Sequence, residues 1–287
     1  MIFYVRGRFV PERESLVSVL DRGFLFGDSV YETVRAHRGR VLFWRDHQAR
    51  LTHSAEGLGI PLHGAHPDPL EILHELLSRN GLEEARMRII VTRGVGAGYQ
   101  FAGLEPTWVV TCERFEPPSE EVYANGVNVA IVGVARHAVA SLNPEIKSSN
   151  LLNNILARRE AMAAGADEGI LLNPEGLVAE GAHSNVFWVA RDGSLCTPAL
   201  SVGILPGVTR MKMIAIARAD GIVVREVHER REALEKAAEI FLTSTSWEAL
   251  SAARLNGRPV GSGRRGEIAR RLRERLRGLY GREEETA

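Results

Sequence analysis

The sequence predicts an α/β (α+β) protein of two domains, and three observations carry that reading. Short β-rich runs alternate with amphipathic helical stretches along the whole chain. The length of 287 residues is more than one hydrophobic core usually spans. Near the middle, Glu116-Pro117-Pro118-Ser119-Glu120-Glu121 is the most linker-like stretch, with two prolines among acids. We therefore expect a smaller N-terminal α/β domain over 1–118, a linker over 119–126 and a larger C-terminal α/β domain over 127–287.

In the first half, Phe3-Tyr4-Val5, Gly7-Arg8-Phe9-Val10 and Leu16-Val17-Ser18-Val19 read as short strands. Gly23 and Gly27 then flank an aromatic turn, and an alternating strand follows in which Val30, Glu32 and Val34 share a face. Arg38-Gly39 predicts a hairpin turn into Val41-Leu42-Phe43-Trp44. The spacing of Leu51, Ala55 and Leu58 predicts a helix over 45–58, with Arg50 at the edge of its apolar stripe. An arginine there either snorkels to solvent or holds a ligand. Pro67-Asp68-Pro69 opens a second helix that stops near Asn80-Gly81. Residues 86–92 read as a buried strand with Arg88 ahead of its core. The run Gly94-Val95-Gly96-Ala97-Gly98 lacks the dinucleotide spacing and reads as a mobile loop over a site or as a plain turn. Trp108-Val109-Val110-Thr111 is a further strand.

In the second half, residues 127–132 form an extended run, and Leu152, Ile155, Leu156 and Ala163 mark a helix ending at Gly165. Strands are expected over 168–172, over 178–189 and from 240 into the hydroxyl run Thr243-Ser244-Thr245-Ser246. Gly203 through Arg210 opens a helix that runs to Gly221. The chain closes with a basic amphipathic helix from about Gly266 to Leu279, whose run 270–275 reads as a solvated face.

Composition excludes several functions. With 36 Lys plus Arg against 36 Asp plus Glu, the formal charge is zero, so nothing in the whole-chain field favours nucleic acid or an anionic membrane. Cys112 and Cys196 lie far apart without metal spacing, which fits a reducing compartment and no metal site. The first residues lack the apolar core of a signal peptide, and no apolar run is long enough to span a bilayer. A cytoplasmic location is expected.

Lysine usage is the sharpest signal. Only Lys147, Lys212 and Lys236 are present; every other basic residue among the 36 is arginine. Lysine, unlike arginine, can lose its proton and attack a carbonyl. Lys147 stands between an extended run and a helix start, where it is either such a nucleophile or a solvated loop residue. Glu180 precedes a glycine in an apolar strand, so it is either a partnered buried carboxylate or a solvent-facing strand exit. The Pro206-Gly207 turn delivers the N–H groups of Val208 and Thr209 at a helix start, a candidate phosphate site.

Three blocks in this order, Lys147-Ser148-Ser149-Asn150-Leu151-Leu152, Glu180-Gly181 with Ser184-Asn185-Val186-Phe187, and Gly203 through Arg210, resemble the class IV pyridoxal-phosphate aminotransferases. That family includes branched-chain and D-amino-acid aminotransferases and aminodeoxychorismate lyase. The resemblance implies two α/β domains of fold type IV with pyridoxal 5′-phosphate at the domain interface. It implies that Lys147 anchors the cofactor covalently and moves the substrate proton, and that Glu180 pairs with the ring nitrogen. It assigns the phosphate to Arg50, Val208, Thr209 and Thr245, with Ser244 beside them. Tyr31, Arg88, Tyr99 and Ser184 are the substrate-side candidates. The partners implied are an amino acid and a 2-oxo acid such as 2-oxoglutarate or pyruvate, and a second copy of the chain in a homodimer or larger homo-oligomer.

Leu151, Tyr31 and the Ser184-Asn185 block are more similar to the D-amino-acid branch, although its Arg-x-His pair is missing from 94–101. A D-amino-acid transaminase is therefore the leading expectation. The branched-chain L-amino-acid enzyme and the lyase, to which the Arg93-Gly94-x-Gly96 loop is similar, remain as alternatives.

Overall fold

The computed structural model describes residues 1–62, 67–99, 101 and 103–281, so Gln100 of the glycine-rich loop and the tail beyond 281 in the expected second domain lie outside the described residues. The chain divides into two compact units. The first comprises 1–116 together with 146–150, and the second comprises 117–145 and 151–281. Both carry sheets and helices, as the composition of strands and stripes requires.

In the first unit the order is β1 (Ile2–Val5), β2 (Arg8–Pro11), α1 (Arg22–Phe26), β3 (Ser29–His37), β4 (Arg40–Val41), α2 (Trp44–Leu58), α3 (Pro69–Asn80), β5 (Ala85–Thr92) and β6 (Thr107–Arg114). Its sheet runs β2-β1-β6-β5-β3-β4, with every pairing antiparallel. Alternation splits that sheet cleanly. Tyr4, Val30, Val34, Met87, Ile89 and Val110 are buried in one core with Leu51, Ala55, Leu73 and Leu76 of α2 and α3. Tyr31, Thr33 and Arg88 alternate with those residues and therefore stand on the opposite face.

Local chemistry sets the ends of these elements. The side chain of Asp68 accepts the Leu70 N–H, Pro69 occupies the first turn of α3, and Gly81 closes it at φ 59°. The hairpin at Arg38-Gly39 forms with both residues at positive φ. The strand beyond it is shorter than expected: β4 ends at Val41, and Phe43 turns at φ 54° to start α2 at Trp44. Leu16-Val17-Ser18-Val19 is not a strand; Leu16 is 75% exposed and finds no sheet partner. Without a ladder, β-propensity alone does not hold a strand.

The second unit carries α4 (Glu120–Asn125), β7 (Val127–Ile131), α5 (Leu152–Ala163), β8 (Glu168–Leu172), β9 (Val178–Gly181), β10 (Asn185–Val189), β11 (Leu195–Pro198), α6 (Val208–Ala219), β12 (Val224–Val227), α7 (Arg231–Glu235), β13 (Glu239–Ser244), β14 (Glu248–Leu255), β15 (Arg258–Pro259) and α8 (Glu267–Arg277). Its nine-stranded sheet follows the order β12-β11-β10-β13-β14-β7-β8-β9, with β15 paired to β14. The stretch 119–126, expected as a linker, instead forms α4. Ser119 caps it and Tyr123 is 2% exposed, so this segment packs as part of the unit.

Two further expectations need correction. The run 178–189 is two strands, because a turn at 182–184 separates β9 from β10. The 270–275 run is not wholly solvated: Arg273 is 7% exposed and pairs with Glu248 at 3.0 Å. Glu248, itself 1% exposed, also receives Arg277 and the Tyr280 hydroxyl at 2.7 Å each, which pins α8 to β14.

Candidate active site

The short segment 146–150 that carries Lys147 belongs to the first unit although the chain on both sides of it belongs to the second. The cause is backbone pairing. The Tyr31 N–H donates to the Lys147 carbonyl at 2.9 Å, Ser149 N–H donates to Ser29 O at 3.0 Å, and Val30 bridges Ser148. Residues 147–149 thus add a short antiparallel rung to β3 where β4 does not reach. The Lys147 N–H is held by the Ser54 hydroxyl at 3.0 Å, and Asn150 Nδ2 donates to Gly27 O at 3.1 Å. With its backbone fixed at three points, the lysine has a defined origin for its side chain. Its Nζ lies 3.4 Å from the Tyr31 hydroxyl and 4.4 Å from the centroid of that ring.

Arg88 stands over the same ring, with its guanidinium carbon 4.0 Å from the centroid. Its Nε is buried and makes no hydrogen bond, and among the described residues no carboxylate pairs with it. Arg35, on the same face of β3, is paired with Glu84 at 3.5 Å. Arg22 is bound to Asp28 at 2.8 Å and to the Gly98 carbonyl, which tethers the glycine-rich loop. Tyr99 on that loop is 80% exposed and stacks on Phe26 at 5.7 Å.

On the core face of β3, Glu32 is fully buried and accepts Arg50 Nε at 2.7 Å, Arg50 Nη2 at 2.9 Å and His47 Nδ1 at 2.9 Å. Arg50 is 9% exposed, so it is no snorkelling surface residue. Sequence reasoning put Glu32 on the correct face and missed its partners, although the three-residue spacing of His47 and Arg50 places both on one side of α2. Burial pushes the Glu32 carboxyl up, but Arg50 and His47 outweigh it and hold the group well below its ordinary range. Burial drives His47 below its ordinary value, against the pull of Glu32.

In the second unit Glu180 is 5% exposed and does not face solvent. Its Oε1 pairs with Arg136 Nε at 2.7 Å. Its Oε2 accepts Leu205 N–H at 3.0 Å and Asn185 Nδ2 at 3.3 Å. Neither Arg136 nor Asn185 was legible as its partner, since neither spacing has a local periodicity. Asn185 also donates to Leu205 O at 3.0 Å, tying β10 to the segment that leads into α6.

That helix begins at Gly207, and no side chain caps it. A Cβ on Gly207 would lie 2.0 Å from Asn185 Oδ1, so only glycine permits this approach. Val208 and Thr209 follow at the uncapped start, both buried. Thr245 is partly buried, and among the described residues its hydroxyl has no partner. Ser244 Oγ accepts the Trp247 N–H at 3.2 Å and so shapes the turn after β13. Ser184 is 7% exposed, with its hydroxyl turned into its own turn and unpaired.

These residues suit a pyridine phosphate. A carboxylate has about four acceptor directions; Glu180 Oε2 accepts two hydrogen bonds and Oε1 is ion-paired with Arg136, so Oε1 keeps room to accept from a ring N–H. An uncapped helix start and an unpartnered hydroxyl suit a phosphate. Lys147, in the first unit, carries a primary amine. Among the described residues no cluster of His, Cys, Asp and Glu could hold a metal ion, and no helix is long and apolar enough to cross a membrane.

Residues 29–255 match the family described as amino-transferase class IV. The chain is 36% identical over 283 residues to a Methanocaldococcus jannaschii protein with the provisional name of branched-chain-amino-acid aminotransferase, covering 97% of this chain and 96% of that one. It is 33% identical over 274 residues to the D-alanine aminotransferase of Staphylococcus aureus strain COL, covering 94% and 95%. Among solved structures, the branched-chain aminotransferase of Thermoproteus uzoniensis with norvaline superposes with TM-score 0.88 at 32% identity, over 99% of this chain and 96% of that one. A T.th. branched-chain amino acid aminotransferase with pyridoxamine 5′-phosphate superposes with TM-score 0.90 at 32% identity, over 99% and 95%. This chain belongs to the class IV aminotransferase family. It is a pyridoxal-phosphate-dependent aminotransferase of fold type IV, acting on amino acids and oxo acids.

Proposed function

We propose that the enzyme moves the amino group of a branched-chain L-amino acid to 2-oxoglutarate or pyruvate, with Arg88 holding the substrate carboxylate. The observation that carries this reading is Arg88 itself: a cation beside the Tyr31 ring, with a buried and unbonded Nε and no carboxylate partner among the described residues. A substrate carboxylate would supply the missing acceptor.

When bound, pyridoxal 5′-phosphate supplies the electron sink that makes the substrate α-proton removable. Lys147 anchors it and moves that proton, with the Tyr31 hydroxyl 3.4 Å from Nζ to orient the amine. Glu180 holds the ring nitrogen. Arg136, Asn185 and the Leu205 N–H keep that carboxylate in place. Val208, Thr209, Thr245 and Arg50 bind the phosphate, and Glu32 fixes the plane of the Arg50 guanidinium. A homodimer or larger homo-oligomer is part of this reading. Leu152 and Ile155, two of the apolar residues that marked this helix in the sequence, are 68% and 60% exposed in the single chain.

A second reading, a D-amino-acid transaminase, is favoured by Leu151 after Asn150 and by the D-alanine relatives. The lyase reading has less support, because Arg93 of its loop is engaged by Asp28 and by the carbonyls of Leu58 and Gly59. One panel separates the three. L-leucine, L-isoleucine and L-valine should convert the cofactor to its amino form, and D-alanine should not. D-alanine conversion alone supports the second reading, and pyruvate release from aminodeoxychorismate without an acceptor supports the third. Arg88→Ala should lower kcat/KM about 10- to 100-fold, as expected for a charged hydrogen bond of about 1.5–3 kcal/mol. Parent-like kcat/KM in that variant removes Arg88 from the reading.

A further inference from the structure

The turn at 182–184 presents His183 outward, where the sequence had drawn attention to Ser184. The His183 side chain is 48% exposed, yet its Nδ1 lies 2.7 Å from Oε2 of Glu168, which is fully buried. Glu168 Oε1 also accepts the His183 N–H at 3.0 Å, and Arg158 Nη1 approaches Oε2 at 3.4 Å. A buried carboxylate is costly without partners, and here it serves to orient one half-exposed imidazole. With Nδ1 turned to the carboxylate, Nε2 points the other way, and among the described residues it makes no hydrogen bond. The His183 ring meets Trp247 edge-on, centroids 4.3 Å apart at 65°.

The position of this pair gives it meaning. Asn185 pairs with Thr243 across β10 and β13, so the turns that follow Glu180 and Ser244 lie at the same end of adjacent strands. His183 is three residues from Glu180, and Trp247 is two residues from Thr245. The pair therefore borders the groups assigned to the cofactor on this unit. An aminotransferase must accept two different substrates in turn, and its acceptor can carry a second carboxylate.

We propose that His183, as the doubly protonated imidazolium with Nδ1–H toward Glu168 and the ring backed by Trp247, recognises the distal carboxylate of a dicarboxylic substrate through Nε2–H. This rests on the aminotransferase reading above. The test measures KM and kcat with 2-oxoglutarate and with pyruvate as acceptors, for the parent holoenzyme, His183→Phe and His183→Gln. In parallel, glutarate and 4-methylvalerate binding is measured by calorimetry, which needs no turnover. His183→Phe keeps the contact with Trp247 and loses the donor. It should raise the ratio of the 2-oxoglutarate KM to the pyruvate KM about tenfold, with kcat moving less, and weaken glutarate about tenfold relative to 4-methylvalerate. His183→Gln, which keeps a donor, should recover part of both effects. Equal shifts for both acceptors and both ligands, or none, would overturn the proposal. So would a parent enzyme that transaminates pyruvate and ignores 2-oxoglutarate, which leaves the aminotransferase reading standing. Failure of the parent with every amino acid and acceptor overturns both.

Discussion

Arg50 shows how much one side chain's meaning depends on its partner. It looked like a phosphate ligand or a surface residue, and the fold makes it the bidentate partner of a fully buried glutamate. Removing one member of such a pair leaves an uncompensated charge inside the protein. Arg50→Ala should therefore cost about 3–5 kcal/mol in urea unfolding, beyond any loss of cofactor. The double variant Arg50→Met with Glu32→Leu should recover most of that stability. If Arg50 serves the phosphate, cofactor retention on dialysis should stay weak in the double variant while stability returns. Retention that returns together with stability would assign Arg50 to the core alone.

At the scale of elements, the glycine before α6 does what no other residue could. Gly207 lets the helix start close on Asn185, and Asn185 in turn holds Glu180. Gly207→Ala would place a methyl group 2.0 Å from Asn185 Oδ1, so the amide must move. An overpacked contact of this kind costs about 1–3 kcal/mol. The expected result is faster loss of pyridoxal phosphate on dialysis, with far-UV circular dichroism unchanged because α6 itself can still form. Unchanged retention would show that the Asn185–Glu180 contact is dispensable for holding the cofactor. The added rung of 147–149 on β3 is the companion case, in which an element too short to be a strand sets the origin of the lysine.

For the whole molecule, the buried Glu32–His47–Arg50 group predicts a pH dependence with a definite sign. His47 sits below its ordinary 6.5 in the folded protein, first because it is buried. Glu32 sits below its ordinary 4.5, because Arg50 and His47 outweigh its burial. In both cases the unfolded chain binds the proton first as pH falls, so stability rises with pH across each window. The His47 contribution is complete above 6.5 and is lost below it; the Glu32 contribution is lost below 4.5. Tm should fall between pH 7.5 and 5, and His47→Gln should flatten that part of the curve. A parent Tm that rises on acidification through this range would contradict the assignment.

The sequence by itself determined the mixed α/β class, most element boundaries and the family. Those follow from local causes: periodicity, the Asp68-Pro69 start and Gly81 stop of α3, and the three ordered blocks around Lys147, Glu180 and Gly207. Only the tertiary structure decided what those residues touch. Arg136 and Asn185 on Glu180, Glu32 on Arg50, and Glu168 on His183 are contacts between separate elements that no local period records. The same holds for Lys147, whose place in the first unit comes from backbone hydrogen bonds to β3 across more than a hundred residues of chain. Burial and pairing are set by which surfaces meet, and a one-dimensional pattern carries which residues are apolar but not which charges will share a pocket.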